Sequence, residues 1–566
     1  MYRYLALVWD ACDPGHTVEA DRLVGALRAR GSEWTSLNPI GAAAPPSSRG
    51  GLALFHTGSR SGVTDTEVLP ADGGAVFGTL FRAGSPGPRA RLDDGDRRAI
   101  LASRGSVLLA SHWGRYVAIV RTPSHGVSIL RDPTGGLPCL LAFHRGVWML
   151  FSDVEDALSL GLQVSVNWRF VRALIADFGL QSSETGLEQI TEVQPGESIE
   201  LHGATLRRTQ RWNPLEIARA DPIDAPSAAA AALRESVLRA VHAWAGCHPR
   251  ILHRLSGGLD SAIVLAALCE APAAAEVTCL NYFGGGPQED ERAFARRAVA
   301  RSRSPLIEQP LEPDRARLEP VLRATRTARP YFYLYALEHG RFEAALAASL
   351  GATALFSGAG GDALFYRNRA ALAAADAMHR HGVGRQMFRA ALDAATIERT
   401  SVWSVLADAL HNRLRHDTWS RVAGDGAPAH PWLREARRSP PGKVWQVRSI
   451  GAPLPYYDPL GQPDDAESVQ PLLQQPVIET CVRIPTPTLV SGGWDRAIAR
   501  RAFLHDLPPE IVRRRGKGAS TATALRLFES NLPFLRDLLL DGWLVREGLL
   551  QRRALEAALT TGATLR

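Results

Sequence analysis

Lysine is almost missing from this sequence. Of 65 Lys+Arg residues, only Lys443 and Lys517 are lysines, so arginine fills nearly every position where lysine would normally serve. A lysine kept against that background is a candidate for work that a compact ammonium does and a planar guanidinium does not; chance survival is the plain alternative. Cysteine is scarce as well. Cys12, Cys139, Cys247, Cys269, Cys279 and Cys481 lie far apart, with no CxxC and no companion histidine spacing, which excludes a disulfide framework and a zinc site and leaves idle or buried thiols. No apolar run is long enough to span a membrane, and the N-terminal stretch MYRYLALVWDACD carries Asp10 and no small-residue cleavage signal. A cytoplasmic protein with no membrane partner is expected. No internal repeat is present, and low complexity is confined to alanine-rich helical tracts. The formal charge of +7 comes from basic residues spread along the chain against 58 acids, with no basic arm. A nucleic-acid partner is therefore not expected, and a peptide or nucleotide suits that charge equally well.

What is present divides in two. A chain of 566 residues exceeds what one hydrophobic core usually organises. The first ~210 residues, a boundary good only to a few positions, hold short apolar segments between turn signals: LALFHTG, GAVFGTLF, SVLLASHWGRYVAIV, GVSILRDPTGGLPCLLAF and GVWMLFSD read as strands of a β-rich domain. The stretch RWNPLEIARADPIDAPS, with Pro214, Pro222 and Pro226, reads as a linker. Beyond it the pattern changes to alternation: helix AAAAALRESVLRAVHAWAG, strand RILHRL, helix AIVLAALCEA, strand EVTCLNYF, helix ERAFARRAVARS. Strands alternating with helices predict a doubly wound parallel sheet, so the fold class is α/β, with domains at 1–210 and 211–566.

The candidate chemistry sits at two glycine turns. SGGLDS, residues 256–261, joins a strand to a helix, where backbone N–H groups and the helix N-terminus favour an anion. Ser256, Gly257, Gly258 and Ser261 form the cradle, and the spacing is not that of a Walker loop. Asp260 fits such a cradle only if a divalent cation joins its carboxylate to a phosphate, which points to a nucleotide polyphosphate with Mg²⁺. SGAGGD, residues 357–362, repeats the logic after the strand TALF and supplies Gly358 and Asp362. Two such aspartates could reach one metal, although Asp362 alone would also suit an ordinary helix N-cap.

SGGLDS together with SGAGGD resembles the pyrophosphate-loop ATP synthetases, specifically the asparagine synthetase family. QEDERAFARRAVA, GRYVAIVRTPSHGVSILRDPTGGLPCLLA, WMLFSDVEDAL, ITEVQPGESIEL and DRAIARRAFLHDLPPEIVRRRGKG extend the resemblance along most of the chain. It implies an N-terminal domain of the glutaminase, Ntn-like α+β type and an ATP-pyrophosphatase-type synthetase domain. It also implies that the first loop, Leu280 and Gly358 bind ATP, that Asp260 and Asp362 hold Mg²⁺, and that Lys517 lies over the reacting centre as the catalytic residue. Glutaminase members start, after methionine removal, with a cysteine. Here the sequence reads Met1-Tyr2-Arg3-Tyr4, and the internal Cys12 has no free amine beside it, so glutamine hydrolysis is not expected. Ala359 stands where asparagine synthetases carry glutamate and β-lactam synthetases tyrosine, so no strong base is expected there. SGAGGD, PLLQQPVIE and RAIARRAFLHDLPPEIVRRRGKG are most similar to the lasso peptide cyclases. That resemblance implies a macrolactam synthetase acting on a leaderless core peptide, in a pathway that also has a leader peptidase and a leader-recognition protein. A β-lactam-type or other small amide synthetase is the alternative within the family; a tRNA-modifying enzyme or an inactive scaffold fits less well. RPYFYLYALEHGRF, residues 329–342, is a candidate wall of the peptide cavity or ordinary core.

Overall fold

A computed structural model describes the chain except for residues 1, 31–32, 38–49, 59–64, 85–86, 88, 178–181, 273–274, 331–335, 415–429, 452–465, 517, 519–520 and 562–566. Lys517 and the aromatic run 331–335 lie outside the described residues.

The first twelve strands build two six-stranded sheets. They are β1 (Arg3–Trp9), β2 (Thr35–Ser36), β3 (Gly51–Thr57), β4 (Asp65–Leu69), β5 (Gly74–Arg82), β6 (His112–Arg121), β7 (Val127–Arg131), β8 (Leu140–His144), β9 (Val147–Phe151), β10 (Thr191–Glu192), β11 (Glu197–His202) and β12 (Thr205–Gln210). Their orders are β10-β8-β9-β1-β3-β2 and β12-β11-β7-β6-β5-β4, with antiparallel pairing between neighbours. Alternation along β1 explains the layering, because successive side chains of a strand leave opposite faces. Tyr4, Ala6 and Val8 meet Phe77, Val117 and Ile129 of the other sheet. Leu5 and Leu7 meet Leu23 and Leu27 of the helix Pro14–Arg28. On the far side, Val76, Tyr116 and Ala118 pack with Ile100 of the helix Asp94–Ala102. The domain is thus helix, sheet, sheet, helix.

Two expectations need correction. SVLLASHW does not enter as strand throughout: Leu108–Ser111 is a helical turn, and β6 starts only at His112. The proline-bearing stretch is not a loose linker. Asn213 caps a helix over Pro214–Ala220 by accepting from Leu215 N at 2.9 Å, and Trp212 is buried, its Nε1 donating to Glu479 Oε1 at 2.8 Å. Proline at the first helical position removes no intrahelical hydrogen bond, so a proline-rich segment can start a helix.

The second sheet system is parallel. β13 (Arg250–Arg254), β14 (Glu276–Phe283), β15 (Leu306–Pro310), β16 (Ala354–Ser357) and β17 (Glu467–Val469) lie in the order β15-β14-β13-β16-β17, every pair parallel. One face packs Ile251 and Phe356 against the helices Pro226–Ala245 and Leu259–Cys269. The other face packs Leu252, Leu280 and Leu355 against Ala347 of the helix Ala336–Leu350. The fold is therefore α/β, an antiparallel two-sheet domain followed by a parallel-sheet domain. The two share packing: Phe81 stacks on Trp113 at 4.5 Å and meets Trp244 edge-on at 5.1 Å, while Arg115 of β6 donates to Glu467 Oε1 at 3.0 Å at the edge of the parallel sheet. Among the described residues no helix is long and apolar enough to cross a membrane.

Candidate active site

The strand order reverses direction between β13 and β16: β14 and β15 continue on one side, β16 and β17 on the other. In open parallel sheets the loops leaving two such strands diverge and open a crevice at their C-terminal ends. Both glycine turns leave the sheet there, one after Arg254 and one after Ser357.

The first loop is knit by its own polar groups. Ser256 Oγ and Ser261 Oγ lie 3.1 Å apart, Ser256 N–H donates to Ser261 Oγ at 3.2 Å, and Gly258 N–H donates to Ser256 Oγ at 3.3 Å. Gly257 has φ +76, a left-handed backbone that glycine adopts without steric cost, and a β-carbon there would lie 2.8 Å from Glu291 O. Gly258 is the N-cap of Leu259–Cys269 and provides no side-chain cap, which leaves that helix start open to an anion. Beneath it, fully buried His253 bonds through Nε2 to Ser261 O at 2.9 Å, and burial pushes its imidazole down to about 4. A neutral ring in that position holds the first helical turn to the sheet.

The second loop touches the first. A β-carbon on Gly358 would lie 2.5 Å from Ser261 N, and one on Gly361 would lie 2.5 Å from Asp260 Cγ. These glycines allow the contact between loops. Gly360, at φ +88, packs against Leu473 of the PLLQQP segment, which therefore backs the loop. Asp260 is 6% exposed, and its Oδ1 and Oδ2 lie 3.4 and 3.3 Å from Arg496 Nη1; Asp362 Oδ1 lies 3.3 Å from the same nitrogen. Arg496 is buried, in a left-handed backbone at φ 53, and its Nε donates to Asp495 Oδ2 at 2.8 Å. Burial opposes its charge, but Asp260, Asp495 and Asp362 outweigh that and raise it above the ordinary guanidinium value.

Sequence reasoning quoted the segment that begins at Arg496 but gave this arginine no part in the site; its only signal was its place at the head of RAIARRAF. Glu291 was missed likewise. Its Oε1 accepts from Gly518 N–H at 2.7 Å and from Arg514 Nη2 at 2.6 Å, and Arg514 Nη1 reaches Gly257 O at 3.2 Å. Arg514 thereby ties to the first loop directly, and Gly518 is linked to it through Glu291 and Arg514. Leu280 stands differently from the other candidates. It is 1% exposed in the core, and its carbonyl accepts from Leu255 N–H at 2.8 Å, so its side chain supports the loop from below instead of facing the crevice. The other lysine, Lys443, is buried: Nζ donates to Gln446 Oε1 at 2.6 Å and to the carbonyl oxygen of Ile484. Gln446 Nε2 in turn donates to Leu364 O at 2.7 Å, at the end of the short helix Gly361–Leu364 that carries Asp362.

Two carboxylates converging on one cationic nitrogen suit Mg²⁺, which takes one or two protein carboxylates and completes its shell with phosphate oxygens and water. Asp260 and Asp362 would hold it.

Residues 232–564 match the family model described as asparagine synthase. The chain belongs to the asparagine synthase family. Membership makes it an ATP-dependent amide-forming ligase, and the matched span contains both glycine loops, Arg496 and position 517. No curated protein matches the chain. Solved structures that match include the allosteric regulatory enzyme of purine biosynthesis and glutamine phosphoribosylpyrophosphate amidotransferase from B. subtilis complexed with ADP and GMP. Each is 11% identical with a TM-score of 0.23, covering 62% of this chain and 89% and 90% of the other chain respectively. Scores that low carry no argument about this chain.

Proposed function

We propose that this member of the asparagine synthase family is a lasso peptide macrolactam synthetase, using ATP and Mg²⁺ to join an Asp or Glu side chain of a leaderless core peptide to that peptide's own N-terminal amine. The observation that carries the reading is the pair of glycine loops meeting at the switch point, with Ala359 in the second loop, so that a site suited to activating a carboxylate has no acid or phenol at that position to serve as base. The peptide carboxylate attacks the α-phosphorus of ATP, the bond to the bridging oxygen breaks, and pyrophosphate leaves. The neutral amine then attacks the acyl carbon, the acyl–oxygen bond breaks, AMP leaves, and the amine proton passes to solvent. A peptide α-amine titrates near ~7.7–8.0, so a sizeable neutral fraction exists without a strong base.

The chain's groups divide this work. Ser256, Ser261 and the open start of Leu259–Cys269 would receive phosphate oxygens. Asp260 and Asp362 would hold Mg²⁺, which when bound offsets charge on the phosphates. Lys517 would place its ammonium near charge that develops in the transition state; the bond of Gly518 N–H to Glu291 and that of Arg514 to Gly257 O support that reading. The amine comes with the peptide and not from glutamine. Burial pushes the thiols of Cys139 up to about 11 and of Cys247, Cys279 and Cys481 to about 12, which makes them poor nucleophiles.

Mass spectrometry of linear core peptides incubated with the chain, ATP and Mg²⁺ tests the reading. Loss of one water from a peptide, with matching AMP and pyrophosphate, is expected. ATP–pyrophosphate exchange stimulated by a small β-amino acid and by no peptide would transfer the reading to a small amide synthetase.

A further inference from the structure

A cavity of about 410 Å³ opens beside the carboxylate pair, within the ~300–1,000 Å³ typical of ligand sites. Four separate segments line it: Arg367–Ala370 just past the second loop, Thr396–Arg399 at the end of the helix Arg385–Glu398, Gly493–Asp495, and Arg515 with Gly516. Its charge is unbalanced. Arg367, Arg369, Arg399 and Arg515 line it against two carboxylates, Glu398 and Asp495, and both carboxylates are engaged. Asp495 takes Arg496 Nε at 2.8 Å and Arg500 Nη2 at 2.7 Å, and Glu398 Oε1 takes Ala371 N–H at 2.9 Å.

The arginines are oriented as well as charged. Arg515 lies 4.2 Å over Trp494, which itself lines the cavity, and Arg369 lies 5.0 Å over Trp445. Stacking occupies one face of the Arg515 guanidinium and Arg515 Nη1 donates to Gly493 O at 3.5 Å, which fixes the plane of a fork whose geometry suits a carboxylate. Arg399 is the left-handed C-cap of the helix Arg385–Glu398, at φ 53, and Arg369 stands in a turn at φ 61, so both guanidinium stems leave the backbone at the rim of the cavity. Arg367 Nη1 donates to Asp362 Oδ2 at 3.3 Å, so one wall of the cavity is the direct neighbour of a candidate metal carboxylate.

We infer that this cavity seats the acidic residue of the peptide whose carboxylate is activated, held by Arg399 and Arg515 and presented at the Asp362 side of the crevice. The inference rests on the reading that the chain activates a peptide carboxylate. It names which surface selects the acid. A phosphate of ATP is the less suited occupant, because the backbone cradle for phosphates lies on the first loop, whereas this cavity offers side chains from four separate segments.

The test needs no turnover. Two capped pentapeptides, Gly-Gly-Glu-Gly-Gly and Gly-Gly-Gln-Gly-Gly, are titrated calorimetrically into the full chain, with and without Mg²⁺ and an ATP analogue that cannot be cleaved between its α and β phosphates. The glutamate peptide should bind roughly tenfold or more tightly than the glutamine peptide, the scale of a charge-assisted hydrogen bond. Arg399→Ala combined with Arg515→Ala, both exposed positions, should abolish the preference, and the double lysine variant should restore part of it. Equal or undetectable binding of the two peptides, a preference that survives the double alanine change, or displacement of the peptide by magnesium pyrophosphate overturns the inference. Failure of the macrolactam reading looks different: the glutamate preference persists, but no peptide supports pyrophosphate exchange.

Discussion

Asp260 and Asp362 meet across the switch point of the parallel sheet, each with a carboxylate oxygen 3.3 Å from one nitrogen of Arg496. One guanidinium thus bridges two loops contributed by different strands.

Asp260→Asn and Asp362→Asn should each abolish pyrophosphate exchange while circular dichroism stays native, since either change removes a charged oxygen from a cation site without altering shape. Near-normal exchange in either variant would show that the pair does not hold the metal.

Gly361→Ala tests the contact between loops. The added methyl would stand 2.5 Å from Asp260 Cγ, and displacing that carboxylate by an ångström should lower the exchange rate roughly 10²-fold, as misplacement of a reacting group does. An exchange rate within about twofold of wild type, against that 10²-fold scale, would mean that Asp260 need not hold this position.

Lys443→Arg should destabilise the fold. Lys443 is buried, with its ammonium on Gln446 Oε1 and the Ile484 carbonyl, and burial pushes its charge down while it pushes Asp376 up. A larger, always charged fork there should cost about 1–3 kcal/mol by overpacking, read as a lower urea midpoint. An unchanged midpoint would show that the pocket around Nζ has room to spare.

Acid should weaken the domain through His253. Its folded imidazole titrates at about 4 against an ordinary 6.5, so between those values the unfolded chain binds more protons than the folded one. Stability from this residue is complete above 6.5 and is lost as pH falls toward 4. His253→Gln retains a donor near Ser261 O but cannot titrate. Its melting temperature should fall less than that of wild type between pH 7.5 and 5, and parallel profiles would assign the acid sensitivity to other groups.

Much of this was legible in the chain itself. Turn residues and short apolar segments gave strands of a β-rich N-terminal domain, because strand faces depend on a two-residue period, and SGGLDS and SGAGGD announced themselves as turns after strands. The linker misled because proline marks both a break and a helix start, and only Asn213's cap and Trp212's burial separate the two.

Sequence by itself determined the two kinds of sheet, the glycine turns and the family whose model covers residues 232–564, since local period, turn chemistry and motif spacing are properties of neighbours along the chain. Tertiary structure alone decided that β13 and β16 lie side by side, that Arg496 stands between Asp260 and Asp362, and that Lys443 is in the core. Those depend on strand order and on packing between segments that are not neighbours along the chain, for which a single sequence carries no period to read.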